Sequence, residues 1–313
     1  MRTIFMGSPA QVIPILNALR EASYCELIGV ISQPPKPAGR KRILQDPPVA
    51  EYAKKLNLKL WQPLKASSKE FIAELSEIKP DVVITSAYGQ ILSDAFIAAP
   101  KRAIFNIHPS MLPKYRGATP VQTALLNGDK KTGVTLLFTI KELDAGNIII
   151  QEQTDILPDE TAAELMPRLF QKSAELLPQA FAKLADPNFK GQPQIASEVT
   201  HSKKITKEDG RINWQESATR IFNRYRAYQP WPGVVSSFNG ANVQFMKMDV
   251  CDEEVNDQPG SFQYSNSKKA LQVATGKGTL LITRLKPEGR KDISAADFWN
   301  GLKDKTRLIF QGN

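Results

Sequence analysis

Asn106 and His108 lie two residues apart in the run Phe105-Asn106-Ile107-His108-Pro109-Ser110-Met111-Leu112-Pro113-Lys114-Tyr115-Arg116-Gly117. On an extended strand, residues at that spacing point to the same face. A carboxamide beside an imidazole can polarise a carbonyl, hold the charge that gathers on its oxygen and move a proton. His108 is one of only two histidines in the chain, and a lone histidine is ordinarily structural. Its company argues for chemistry. Asp144, followed by Ala145-Gly146 on a later β connection, supplies a carboxylate that raises an imidazole's basicity and holds its tautomer. No G-x-S-x-G elbow offers a serine nucleophile, and Cys25 has no clear partner. Asn106, His108 and Asp144 therefore suit direct transfer of an acyl group to an amine better than a covalent enzyme intermediate.

The elements around these residues place them at the edge of a sheet. An apolar run ends at Ile104, so Asn106 and His108 fall at the C-terminal end of a buried strand, where open α/β sheets hold their ligands. Tyr88-Gly89 falls at another such end, after a strand predicted over residues 81–86. At the start of the chain, an apolar run over residues 2–7 precedes helical spacing through Val12, Ile13, Ile15, Leu16 and Leu19. A second apolar strand over residues 26–32 completes a parallel βαβ start. The turn at Gly7-Ser8-Pro9 lacks the G-x-G-x-x-G fingerprint, which disfavours a dinucleotide site. Residues 33–48 combine five prolines and Gly39 with Lys36, Arg40, Lys41 and Arg42. That composition predicts an irregular loop. A long basic loop in an α/β domain is more readily functional than a spacer, and this one could clamp phosphates. Further strands are expected over residues 103–108, 133–140 and 147–153. Helices are expected over residues 120–127, closed by Gly128, and over residues 161–184.

The pattern changes at residues 185–199, where Pro187, Gly191 and Pro193 interrupt any period and suggest a linker. Beyond it come a helix over residues 217–228 and short β runs at 234–238, 241–250, 270–274 and 280–287. Gly240, Gly260, Gly276 and Gly278 punctuate them, and the spacing predicts a small barrel. A helix over residues 294–302 follows. The expected division is a catalytic domain over residues 1–186, a linker over 187–204 and a second domain over 205–313.

At 313 residues the chain is long enough for two domains. Its net charge of +9 is uneven: residues 201–313 hold 18 Lys and Arg against 12 Asp and Glu, the first 200 hold 23 against 20. The excess fits a polyanion partner, or equally a merely soluble basic surface. Cys25 and Cys251 have no metal-ligand spacing and read as free thiols of a reducing, cytoplasmic compartment. With two histidines and two cysteines, no metal is expected. No apolar run approaches the roughly 20 residues that span a bilayer, so no membrane is expected, and the N-terminus reads as a strand rather than a signal peptide.

The chain resembles the methionyl-tRNA formyltransferases along nearly its whole length. The matching stretches are Phe5-Met6-Gly7-Ser8-Pro9, Gln33-Pro34 with Pro37-Ala38-Gly39-Arg40, and Ala87-Tyr88-Gly89. They continue in Asn106 to Ala118, Thr132-Gly133-Val134-Thr135, Leu143-Asp144-Ala145-Gly146, Lys204 to Ile212 and Arg226 to Gly233. The resemblance implies a Rossmann-like α/β formyltransferase domain and a C-terminal small β-barrel, OB-like, that helps hold tRNA. It implies 10-formyltetrahydrofolate as co-substrate, methionyl initiator tRNA as partner and a cytoplasmic monomer. It places the family's catalytic Asn, His and Asp on Asn106, His108 and Asp144. Folate-binding residues are expected at Ser110, Met111, Leu112, Pro113, Tyr88 and Gly89. Residues expected to bind tRNA are Arg40, Lys41 and Arg42 in the basic loop, and Lys204 and Lys207. Met111 replaces the family's Leu, a volume-conserving change. Ser8, Ala50, Asn147 and Asn213 stand where Thr, Lys, Asp and Asp are usual. Rival readings are a folate formyltransferase acting on glycinamide ribonucleotide or an amino sugar, an RNA-binding protein without catalysis, and a dinucleotide-dependent reductase.

Overall fold

The computed structural model of the protein describes residues 1–39, 42–253, 257–306 and 308–312. The chain divides into two units. One comprises residues 1–120, 131–155 and 165–202, the other residues 121–130, 156–164 and 203–313.

The first unit is an α/β fold. Its elements are β1 (Arg2–Gly7), α1 (Ile13–Glu21), β2 (Glu26–Ile31), β3 (Lys36–Ala38), β4 (Ile43–Gln45), α2 (Pro48–Lys55), β5 (Leu60–Trp61) and α3 (Lys69–Ile78). Then come β6 (Val82–Ser86), α4 (Asp94–Ile97), β7 (Ala103–His108), β8 (Lys131–Phe138), β9 (Ile148–Asp155) and, from Leu165 onward, α6 (Ala162–Ala185), whereas α5 (Pro120–Asn127) belongs from Val121 onward to the second unit. Seven strands form one sheet in the order β5-β2-β1-β6-β7-β8-β9. The first five are parallel, β8 adds antiparallel to β7, and β9 adds antiparallel to β8. Ile4, Phe5 and Met6 on β1 and Val82, Val83 and Ile84 on β6 are fully buried. Continuous apolar runs of this kind belong to strands covered on both faces. Ser68 caps α3, accepting the Phe71 N–H at 3.2 Å, and the helix lays Phe71 and Leu75 on Ile4, Met6, Ile31 and Val83.

Residues 33–48 are not the irregular loop that their prolines suggested. β3 and β4 pair as an antiparallel hairpin, with Lys36 opposite Gln45 and Ala38 opposite Ile43. A two-stranded ribbon has two free edges, so Pro37 fits where a central strand would reject it. Gly39 (φ +68°) and Arg42 (φ +50°) take left-handed conformations at the turn. Ile43 and Leu44 leave it exposed at 59% and 66%.

The second unit contains α7 (Ala218–Tyr228), β10 (Val234–Phe238), β11 (Ala241–Cys251), β12 (Phe262–Ser265), β13 (Ala270–Ala274), β14 (Thr279–Pro287), β15 (Ile293–Ser294) and α8 (Ala295–Asn300). Its antiparallel sheet runs β10-β11-β14-β13-β12, with β15 on β14. The chain beyond α8 closes this sheet into a small barrel. The N–H of Gln311 donates to Ser237 O beside β10 at 2.8 Å, and Phe310 N–H to Gly260 O beside β12 at 2.8 Å. Inside, Phe310 is 1% exposed and its ring meets Trp214, Phe238, Phe245, Phe262 and Phe298. The short β12 and the closing segment carried too few residues to stand out in the sequence.

Candidate active site

The end of β7 presents Asn106 and His108 on one face, and both reach Asp144 on the connection between β8 and β9. Asn106 Nδ2 donates to Asp144 Oδ1 at 3.2 Å, and Asn106 Oδ1 accepts from Thr85 Oγ1 of β6 at 2.9 Å. Those two bonds orient the carboxamide, and its amide group carries a second N–H. His108 Nδ1 lies 3.6 Å from Asp144 Oδ2, with the two side chains 5% and 6% exposed. His108 Nε2 lies 3.1 Å from the carbonyl oxygen of Tyr115. The ring therefore sits between two acceptor oxygens, an arrangement that can hold a proton on either nitrogen.

Asp144 is held from several sides. Its Oδ2 accepts the Gly117 N–H at 2.9 Å, and its carbonyl and that of Gly146 accept from Gln194 Nε2 at 2.8 and 2.9 Å. Arg116, 8% exposed, donates from Nε and Nη2 to Gln194 Oε1 at 3.1 and 2.9 Å, and from Nη1 to Glu142 Oε1 at 2.9 Å. Arg116 thus braces the Asp144 connection. Ala87 (φ +47°), Tyr115 (φ +65°) and Asp144 (φ +53°) all adopt left-handed backbone here. Such conformations cost energy and persist where surrounding structure enforces them, commonly at functional sites.

The Ser110–Pro113 stretch folds onto β8 and β9. The Ser110 hydroxyl, fully buried, donates to Lys114 O at 2.7 Å. Thr135 Oγ1 donates to Ser110 O at 2.7 Å and accepts from Leu112 N–H at 3.2 Å. Gln151 Nε2 donates to Leu112 O and Thr135 Oγ1 at 2.7 and 2.8 Å. Met111 covers Gly133, where an added Cβ would lie 2.3 Å from its sulfur. Ser110 therefore shapes the loop, and its hydroxyl is already engaged. The Tyr88 ring lies in the core beside Phe71, Phe96 and Ile104. Its buried hydroxyl has no hydrogen-bond partner, and burial pushes its pKa up to about 12. Only the backbone of Tyr88 and Gly89 borders the strand end.

Of the expected tRNA-binding residues, Arg42 is exposed on the hairpin, and Lys204 and Lys207 are exposed in the second unit. Arg40 and Lys41 lie outside the described residues. Among the described residues no group of three or more His, Cys, Asp or Glu side chains could hold a metal ion, and no helix is long and apolar enough to cross a membrane. Sequence reasoning missed the supports Thr85, Thr135, Gln151 and Gln194. Thr135 stood in the Thr132–Thr135 match without a role of its own, Thr85 and Gln151 carry no motif, and Gln194 lay in the stretch read as a linker.

Comparison with known proteins gives the family of both parts of the chain. Residues 1–181 match the family described as Formyl transferase, and residues 204–303 match Formyl transferase, C-terminal domain. The chain is 37% identical to a methionyl-tRNA formyltransferase of Enterococcus faecalis, covering 96% of each chain. It is 35% identical to one of Alkaliphilus oremlandii, again covering 96% of each. Among solved structures, a sugar 3N-formyl transferase superposes with a TM-score of 0.66 at 19% identity, covering 93% of this chain and 99% of that one. HypX of Aquifex aeolicus, solved with tetrahydrofolic acid, superposes at 0.64 and 18% identity, covering 100% of this chain and 51% of that one. At such identities these two show the fold. The full-length match to relatives of one name, over both domains, makes this chain a member of the methionyl-tRNA formyltransferase family.

Proposed function

We propose that the chain transfers the formyl group of 10-formyltetrahydrofolate to the α-amino group of methionyl initiator tRNA, supporting translation initiation. The observation that carries the reading is the closed set Asn106–Asp144–His108 at the end of β7. The free N–H of Asn106 donates to the formyl oxygen as negative charge gathers there. His108 takes the proton that the amine sheds as its nitrogen bonds to the formyl carbon. It returns that proton to the folate nitrogen whose bond to the formyl carbon breaks. Asp144 holds Asn106 and the ring in place and balances the charge on His108.

The strand ends also suit a flat ring system carrying an acyl group. Beside Gly89 (φ +87°) the space on the Cβ side is open except for the Gln33 amide at 3.9 Å. Ile91 and Leu143 hold out aliphatic side chains 90% and 67% exposed. They lie on loops that Lys141 and Asp94 join through a 3.7 Å ion pair. Ser110 to Pro113 and the Tyr88-Gly89 backbone are read as the folate contacts. Arg40, Lys41, Arg42, Lys204 and Lys207 are read as phosphate contacts. Residues 1–186 are read as catalytic, 187–204 as linker and 205–313 as tRNA-binding, in a monomer working in the cytoplasm.

Purified chain and 10-formyltetrahydrofolate are to be offered methionyl initiator tRNA, glycinamide ribonucleotide and an amino sugar in parallel. Formylation of the tRNA alone is expected. Transfer to either small amine, with none to tRNA, would overturn the reading.

A further inference from the structure

The hairpin β3–β4 leaves the sheet as a ribbon, and its two legs need an anchor to be aimed anywhere. Gln62, directly after β5, reaches both. Its Nε2 donates to Gln33 O, at the root of the first leg, at 3.0 Å and to Asp46 Oδ1, at the root of the second, at 2.8 Å. A carboxamide has two N–H donors, and both are spent on this clamp. Lys54 holds the other oxygen of Asp46. Gln33 is tied in turn to the catalytic edge of the sheet. Its Nε2 donates to Tyr88 O, after β6, at 3.0 Å, and its N–H to Ser8 Oγ, after β1, at 3.3 Å. The clamp thus joins the hairpin roots to the ends of β5, β1 and β6, and Thr85 on β6 orients Asn106.

We infer that Gln62 is a positioning residue for the macromolecular substrate: it fixes the basic hairpin at the catalytic edge of the sheet, so that tRNA held by the hairpin delivers its amine there. This rests on the tRNA reading above. A glutamine after an edge strand has no other evident task. Its side chain is half-buried, touches neither Asn106, His108 nor Asp144 in the hydrogen-bond network, and spends its donors on a backbone carbonyl and a carboxylate.

The test is steady-state kinetics of the full chain with Gln62→Met and Gln62→Glu. Gln62→Met keeps the volume and removes both donors. Gln62→Glu keeps the shape but turns an acceptor toward Gln33 O and the Asp46 carboxylate. KM for methionyl initiator tRNA should rise about tenfold in Gln62→Met, the weight of one charge-assisted hydrogen bond, and further in Gln62→Glu. The KM for 10-formyltetrahydrofolate and kcat at saturating tRNA should stay within twofold. Adding Asp46→Asn to Gln62→Glu removes the facing carboxylate and should recover part of the loss. If packing alone mattered, Gln62→Glu would behave as wild type, and that result overturns the inference, as would an unchanged KM for tRNA in both single variants. Were Gln62→Met to fold poorly, the recovery in the Asp46→Asn double variant still decides. Wild-type chain inactive on methionyl initiator tRNA would instead overturn the proposed function, and the wild-type control separates the two failures.

Discussion

At the scale of single residues, the site is a set of short polar side chains whose partners are almost all used. Asn106 has one N–H left for substrate, and His108 lies between two acceptors. Replacing Asn106 or His108 by Ala should lower kcat by about 10²–10⁴-fold and change the KM for either substrate little, as single-turnover formylation of charged tRNA can show. Tyr88 gives the opposite expectation. Its hydroxyl is buried without a partner, so Tyr88→Phe should leave turnover unchanged and raise stability at neutral pH by up to about 1 kcal/mol. The same burial holds the phenol neutral up to about pH 12, whereas an unfolded tyrosine ionises near pH 10. Because the folded pKa is the higher one, this contribution is present below pH 10 and is lost as pH rises toward 12. Urea titrations should therefore show wild type losing about 1 kcal/mol more than Tyr88→Phe between pH 10 and pH 11.

At the scale of elements, the site depends on how tightly the connection carrying Asp144 turns. Gly146 lies against β8 so closely that a Cβ would fall 1.8 Å from the carbonyl oxygen of Phe138. That part of the backbone cannot retreat, because Phe138 N–H bonds Asn147 O at 2.9 Å. Gly146→Ala should displace Asp144 and cut kcat by about 100-fold, the usual cost of a misplacement near 1 Å, while the KM for tRNA changes little. Near-wild-type kcat would mean that the connection is softer than its contacts imply. The Asn106–His108 spacing made the strand end recognisable in the sequence, since period two is a local property. The supports Gln194 and Arg116 come from distant sequence, and no local pattern joined them to Asp144.

At the scale of the whole molecule, the second unit takes residues 121–130 and 156–164 from within the first part of the sequence. Arg226 on α7, 5% exposed, donates to Asn223 Oδ1 at 2.6 Å and toward the carbonyls of Leu157 and Glu160 at 3.5 and 3.4 Å. A fragment ending at residue 202 would leave Val121, Ala124 and Leu125, all fully buried in the 313-residue chain, without the surface they cover. It should aggregate or unfold near room temperature, which light scattering and circular dichroism can establish. The +9 charge of the 313 residues leads to one more expectation. With charged tRNA, log kcat/KM should fall steeply with log salt, while the KM for the folate stays flat.

The sequence by itself determined the α/β start, the paired Asn106 and His108, the basic stretch at residues 33–48 and the family. These rest on local periodicity, on residue chemistry at short spacing and on motifs. Tertiary structure alone decided that the basic stretch is a hairpin rather than a loop, because pairing across a ribbon tolerates a proline that local propensity rejects. It alone decided that the residues after α8 close the barrel, that Tyr88 belongs to the core and that Arg116 braces Asp144. Each of those outcomes depends on a partner far along the chain, and contacts between distant residues leave no mark on the spacing of neighbours.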